Sequence, residues 1–304
     1  MTQWLRALIL DVGDPGPLGL DGFRLQTSAN PNMLRVTFDI ERDETPWPNT
    51  AAIEVYNLNA DHRNELGSKR AVPCQLQAGY ADASYGIFSG MLRSAGSTKQ
   101  GTDWVTVLEA GDGELNKKGE PIASGSIHKT WSRGTPIVAI VQDFAHEMDV
   151  DLGNAAVVGA SGSLTTGVAL SHAFTVDGPI LDEWVYFMRS IGVGWSIQDS
   201  ALQLRLPDVP IPTAEIISPL TGLIGEIEIA TLIIERENTI TKRKEQTEKT
   251  VYSGACLLRP ALVPGSLFVL QARNQAVPCV LHRVRHHGDT HGTDWYSEFE
   301  GYAI

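Results

Sequence analysis

Leu34, Val36, Phe38 and Ile40 alternate with Arg35, Thr37 and Asp39, the two-residue period of a strand with one face in a core. Thr45-Pro46-Trp47-Pro48-Asn49 interrupts the run, and Ala52–Tyr56 resumes it. Pro73–Gly79, Gly86–Arg93 and Trp104–Ala110 add further strands between glycine-rich turns, so residues 1–115 predict a sandwich or barrel. From 116 to 206 the period lengthens. Thr135-Pro136 predicts an N-cap followed by proline at the first helical position, and Ile137, Ile140, Val141, Phe144 and Met148 then form one helical stripe. A second helix is predicted from Asp177-Gly178-Pro179. Asp182 and Glu183 lie in its first turn, where the helix dipole favours anions, and Gly192 ends it. Its buried side is expected to be Ile180, Trp184, Phe187 and Ile191. Residues 195–198 and 202–206 predict a hairpin around Asp199-Ser200. From 207 to 304 β character returns, with strands expected over 224–237, 263–273 and 277–285. Residues 235–249 hold five basic and four acidic residues and a single aliphatic, Ile240, and predict a solvated hairpin tip, with a docking loop for a partner as the alternative. The expected organisation is a β domain (1–115), a small α+β domain (116–206) and a second β domain (207–304).

A repeat sharpens this. Gly101-Thr102-Asp103-Trp104 recurs as Gly292-Thr293-Asp294-Trp295, and in both copies a glutamate, Glu109 or Glu300, follows five residues after the tryptophan. A strand-like run precedes each copy, Ile87–Arg93 and Val280–Arg285. The spacing predicts duplication of a whole β unit, with each tetrapeptide turning into a strand that starts with a buried tryptophan.

Composition narrows the function. Lys plus Arg number 24 against 36 Asp plus Glu, a net charge of -12. Nucleic-acid affinity comes largely from cations displacing counterions, so sequence-specific binding is not expected, although a duct for passing DNA is compatible. Cys74, Cys256 and Cys279 are odd in number and without close spacing, and predict reduced, partly buried thiols. The opening apolar run is too short for a signal peptide, and no stretch approaches eighteen uncharged apolar residues, so neither secretion nor membrane insertion is expected.

Each catalytic template fails at a specific residue. Gly96–Gly101 begins like a phosphate loop but is followed by Thr102-Asp103 instead of Lys and Ser or Thr. Gly192-Val193-Gly194 lacks the third glycine of a dinucleotide loop. Gly159–Ser163 ends in Ser where a nucleophile elbow needs Gly. His146-Glu147 starts like a zinc-protease helix, yet Val150 occupies the place of the second histidine. His282, His286, His287 and His291 cluster near Asp289 and Asp294. His286 and His287 are adjacent and point to opposite faces of a strand, which disfavours a shared metal. The expectation is a polar turn of solvated imidazoles, with no metal and no cofactor.

Four segments carry a family resemblance. They are Phe38-Asp39-Ile40 through Pro48-Asn49-Thr50 to Tyr56-Asn57-Leu58; Phe88-Ser89-Gly90 with Glu109–Gly113; Ser218–Gly225 with Leu257–Ser266; and His287–Trp295. In this order the chain resembles the baseplate hub proteins of tailed phages. The hallmark positions are Asn49, Tyr56, Asn57, Leu58, Trp104, Gly222, Leu223, Pro264, Gly265, Asp289 and Trp295. One departure is Glu226-Ile227, where the pattern expects a proline. The resemblance implies two tail-tube-like β-barrel domains flanking an α+β domain. It implies a homotrimer with the tail tube or its initiator above, a central spike below, and baseplate wedge proteins nearby. It further implies a non-catalytic virion protein, assembled in the host cytoplasm, that adapts six-fold to three-fold symmetry around a DNA channel. Rival expectations are another tube-like component, such as a distal tail protein, and a carbohydrate-binding β module.

Overall fold

A computed structural model of the chain describes residues 5–14, 21–27, 33–68, 72–80, 83–116, 118–153, 169–205, 210–237, 244–272 and 275–304. The Gly159–Ser163 loop and the centre of the charged 235–249 stretch lie outside them.

The first unit comprises β1 (Arg6–Asp14), β2 (Asp21–Gln26), β3 (Val36–Asp43), β4 (Thr50–Tyr56), α1 (Ala60–Ser68), β5 (Pro73–Tyr80), β6 (Ala83–Gln100) and β7 (Asp103–Gly111). The middle holds β8 (Ser126–Trp131), α2 (Ile137–Met148), β9 (Phe174–Pro179), α3 (Ile180–Ile191), β10 (Gly194–Gln198) and β11 (Ala201–Arg205). The last unit is β12 (Ile211–Ile217), β13 (Leu223–Glu237), β14 (Lys244–Leu257), β15 (Ser266–Ala272), β16 (Gln275–Asp289) and β17 (Trp295–Ala303).

In the middle, the predicted stripe of α2 is buried, as are Ile180, Trp184 and Phe187 of α3, around Phe144 and Trp184. Ile191 is only half-buried. Both helices start one residue differently from expectation. The capping positions are Pro136 and Pro179, without side-chain caps. Thr135 instead turns its hydroxyl back to the Ser132 carbonyl at 2.8 Å. Gly192 does close α3, in the left-handed conformation glycine adopts without strain.

Contrary to the expectation of two β-barrel domains, the flanking units form no closed barrel among the described residues. They merge into a single open sheet of thirteen strands, ordered β13-β14-β17-β16-β3-β4-β7-β6-β5-β1-β2, with β12 and β15 branching from β16. The reason lies in β16. Its first half pairs with β15, while its second half, Arg283–Asp289, pairs with β3 of the other unit. A strand that lends its edge to another unit cannot close its own ring.

The duplication is nevertheless visible in the strand order. Numbered within each unit, with β2 left aside, both halves read 1-4-5-6-3-2: β1-β5-β6-β7-β4-β3 and β12-β15-β16-β17-β14-β13. They differ where β1 meets β5 antiparallel and β12 meets β15 parallel. The hairpins β6–β7 and β16–β17 match pair for pair. Lys99 faces Trp104 as Gly288 faces Trp295, and Ser94 faces Glu109 as Arg283 faces Glu300. Both carry an irregularity at the same place, with Arg93 and His282 as the extra residues. The two hairpins differ in the turn, which is two residues longer in the second copy.

The paired tryptophans stand on equivalent strands but not in equivalent surroundings. Trp295 is 4% exposed and Trp104 39% exposed, so the expectation of two buried rings holds for one. Trp295 donates from Nε1 to the Gly79 carbonyl at 3.0 Å, meets Phe38 edge-on at 5.5 Å and lies under Arg6. Trp104 is covered on one side by Arg63, 4.0 Å from the ring.

Candidate functional site

The open face of the sheet carries a continuous polar surface. Alternation along β3 buries Val36, Phe38, Ile40 and Arg42 and leaves Thr37, Asp39 and Glu41 outward. Register carries that face across the sheet. Glu54 and Glu109 share it on one side, and Arg283, Arg285, Glu298, Glu300 and Glu228 on the other. Acidic groups therefore outnumber the two arginines. A groove of about 490 Å³ opens here, lined among others by Glu226, Glu228, Arg283, Arg285, Glu298 and Glu300.

Both arginines are spent on the seam between the units. Arg285 holds Asp39 through two bonds at 2.7 and 2.6 Å, and Arg283 binds Glu41. His287 lies between Asp39 and Glu298, at 3.6 and 3.5 Å, and stacks on Tyr296. Half-exposed pairs of this kind add little stability, roughly 0–1 kcal/mol each. Their contribution is register, because a one-residue slip would send every charge into the core.

Behind the seam a buried polar network joins the sheet to the middle domain. Arg42 reaches Asp199 at 2.7 Å, the Ile87 carbonyl at 3.1 Å and Gln198 at 3.3 Å. Asn49 donates to Asp112 from its backbone and side chain, at 2.9 and 3.0 Å, and Asp112 also accepts from the Asp199 amide. The tip of the β10–β11 hairpin is thus plugged into the sheet. Glu44 adds a second tie. It binds Arg205 and, at 2.9 Å, the bulge residue His282, and these partners hold its carboxyl below the usual range against the opposing effect of burial.

The hallmark residues fall into separate groups. Asn49 belongs to the buried network. Asn57, in a left-handed conformation (φ 58°) that asparagine tolerates, accepts from the Trp104 amide at 3.0 Å and donates to Asp103. Tyr56 lies under Arg35, and Leu58 is in the core. Arg35 continues to Asp289 through bonds of 3.1 and 2.6 Å, and Arg6 donates to the Asp289, Gly292 and Thr293 carbonyls, which docks the second hairpin turn on the first unit. Gly222 sits at φ 106° with Leu257 where a β-carbon would be, beside half-buried Leu223. Pro264 and Gly265 are buried at the start of β15, where Gly265 donates to the Leu281 carbonyl at 2.7 Å.

The histidine cluster is not a solvated turn. His282 and His286 lie within β16, and only His291 is an exposed turn residue. His286 and His287 do face opposite sides: His286 is in the core beside the Ser297 hydroxyl at 2.8 Å, and His287 is on the open face. No group of three metal-ligating residues is assembled among the described residues. The three cysteines are free and buried, with thiol pKa values pushed up by burial to between about 11 and about 12. No helix among the described residues is long and apolar enough to cross a membrane.

The inward arginine was the missed signal. Arg42 follows Val36, Phe38 and Ile40 at the same parity, and a charge there requires a buried partner. Asp112 and Asp199 have no such local signature.

Two buried groups give opposing pH dependences. Burial, with Arg42 and His287 nearby, pushes His286 down to about 3. Its stabilising effect is present above the unfolded value of about 6.5 and is lost as pH falls towards about 3. Burial pushes Asp112 up to about 6, against the Asn49 hydrogen bond and the charge of Arg42. Its folded form binds the proton more tightly, so its cost is absent below the unfolded value and complete above about 6. In urea unfolding, the stability advantage of the native chain over His286→Asn is expected to shrink below about pH 6.5, by up to about 1.4 kcal/mol per pH unit. A difference that stays constant with pH would show that His286 is not the group responsible.

No family model and no curated protein matches the chain. Solved structures do. The 43 kDa tail protein of prophage MuSo2 from Shewanella oneidensis superposes with TM-score 0.58 at 7% identity, over 97% of this chain and 98% of that one. The tail protein from Neisseria meningitidis MC58 gives 0.55 at 11% identity, over 98% and 97%. The E. coli c3393 protein, a type VI secretion component described as structurally similar to the T4 tail proteins gp27 and gp5, gives 0.54 at 7%, over 89% and 73%. At these identities the likeness is one of fold. The chain has the fold of these tail proteins.

Proposed function

We propose that this chain is the trimeric baseplate hub of a phage tail, a structural virion protein without catalytic activity that joins a six-fold tail tube to a three-fold central spike. The observation that carries the reading is the strand order 1-4-5-6-3-2, present twice in one chain. Two equivalent units per chain give six units when three chains associate, which is the arithmetic a six-to-three adaptor needs. The likeness to c3393, itself described as similar to gp27 and gp5, supports the same reading.

In such a ring the open sheet face lines the channel. A wall carrying Asp39, Glu41, Glu54, Glu109, Glu298 and Glu300 repels phosphates and leaves DNA free to pass. Tube, spike and wedge proteins are the expected partners, and the tail baseplate the expected location. Light scattering of the purified chain, alone and with its spike, is expected to give three chain masses in at least one of the two conditions. A stable dimer or tetramer in both would overturn the hub.

A further inference from the structure

The chain contains one complete joint between its units and the two halves of a second. In the complete joint, Arg283–Asp289 of β16 pairs with Thr37–Asp43 of β3. By the hairpin match, Arg283–Asp289 corresponds to Ser94–Gln100 of β6. That segment pairs with β7 on one side, and no strand lies on its other side among the described residues. By the matching β4–β7 and β14–β17 registers, Ile40 corresponds to Ile229 and Asp39 to Glu228 of β13. β13 likewise pairs only with β14 among the described residues and forms the end of the sheet.

The burial contrast shows what each half lacks. Ile40 is fully buried, whereas Ile229 is 62% exposed. Trp295, which packs against β3 through Phe38, is buried, whereas Trp104 stands exposed at the bare end of the first hairpin. Apolar groups on an unpaired strand edge invite pairing with another chain.

We propose that β13 of one copy pairs antiparallel with the Ser94–Gln100 segment of β6 in the next copy, in the register β3 takes on β16. This rests on the hub reading for the number of copies. Ile229 then faces Ser97, as Ile40 faces His286, and Glu228 faces Thr98, as Asp39 faces His287. Ile227 precedes Glu228 as Phe38 precedes Asp39, and it meets Lys99 where Phe38 lies over Gly288. Ala95 and Ser97 are small, which leaves room for the isoleucine. Ser94 and Gly96 replace the two seam arginines, so this joint lacks the arginine–carboxylate bridges of the internal one. The contact is head-to-tail, and each copy keeps two bare edges until the ring closes.

The test is a disulfide. The double variant Ser97→Cys with Ile229→Cys, oxidised mildly, is expected to give covalent trimers on non-reducing gels, because directly opposed Cα atoms of a strand pair, about 4.5–5.5 Å apart, lie within the range a disulfide spans. Either single variant should not, and Ser97→Cys with Thr231→Cys, one pair out of register, should link far less. Separately, Ile229→Glu is expected to raise the concentration for half-association by at least about tenfold, a cost of about 1.4 kcal/mol, while Ile229→Val leaves it nearly unchanged. Trimers without the 97–229 link, or with the offset link dominant, would overturn the pairing and leave the hub standing. Closed covalent dimers or tetramers through 97–229 would uphold the pairing and overturn the three-fold hub. A chain that stays monomeric and unlinked at every concentration would overturn the pairing.

Discussion

Replacing Arg42 with alanine is expected to cost about 3–5 kcal/mol of unfolding free energy, among the largest single effects in the chain. The guanidinium is almost fully buried and holds Asp199, the Ile87 carbonyl and Gln198. Without it the Asp112 carboxyl loses a neighbouring positive charge inside the protein, and the β10–β11 hairpin loses its plug into β3. Arg42→Lys keeps the charge but not the planar fork, and should fall between the two. Chemical unfolding of the three proteins tests this. An alanine variant within about 1 kcal/mol of the native chain would mean that the middle domain docks without the network.

Trp295→Ala is the second large effect, about 3–5 kcal/mol, whereas Trp104→Ala in the isolated chain should cost about 1 kcal/mol or less. The difference follows from surroundings. Trp295 fills a space bounded by Phe38, Gly79 and Arg6, so truncation leaves a cavity and an unpaired Gly79 carbonyl. Trp104 has solvent on one side, and its removal opens no cavity. Comparable losses for the two would mean that the hairpins are embedded alike, against the burial seen here.

Local patterns carried much of this fold. Val36, Phe38 and Ile40 declare an inward face because a strand repeats every two residues, whatever it pairs with. The stripes of α2 and α3 were legible for the same reason at helical period. The repeated Gly-Thr-Asp-Trp marked the duplicated hairpin, although each copy shows only a turn and the start of one strand. The strands β2, β8, β9, β12 and β14 went unread, since their runs are short, polar or interrupted, and β1 went unread although Leu8, Leu10 and Val12 alternate in it. The polar parity of β3 and β17 placed an acidic surface within reach of sequence reasoning, but not its extent across both units.

Alternation says which side of a strand faces the core and nothing about which strand lies beside it. The pairing of β3 with β16 joins residues about 250 positions apart, and it was chosen by Phe38 on Trp295 and by Arg283 and Arg285 on Glu41 and Asp39. That choice turned two expected barrels into one open sheet. It also buried Trp295 and left Trp104, its equal in sequence, exposed. The sequence by itself determined the periods, the helical stripes, the acidic balance and the existence of a repeat, because these depend on residues near one another in the chain. Which unit joins which, which edges remain bare, and how Arg42, Asp112 and Asp199 come together were decided only in the tertiary structure, where contacts between distant residues set the energy.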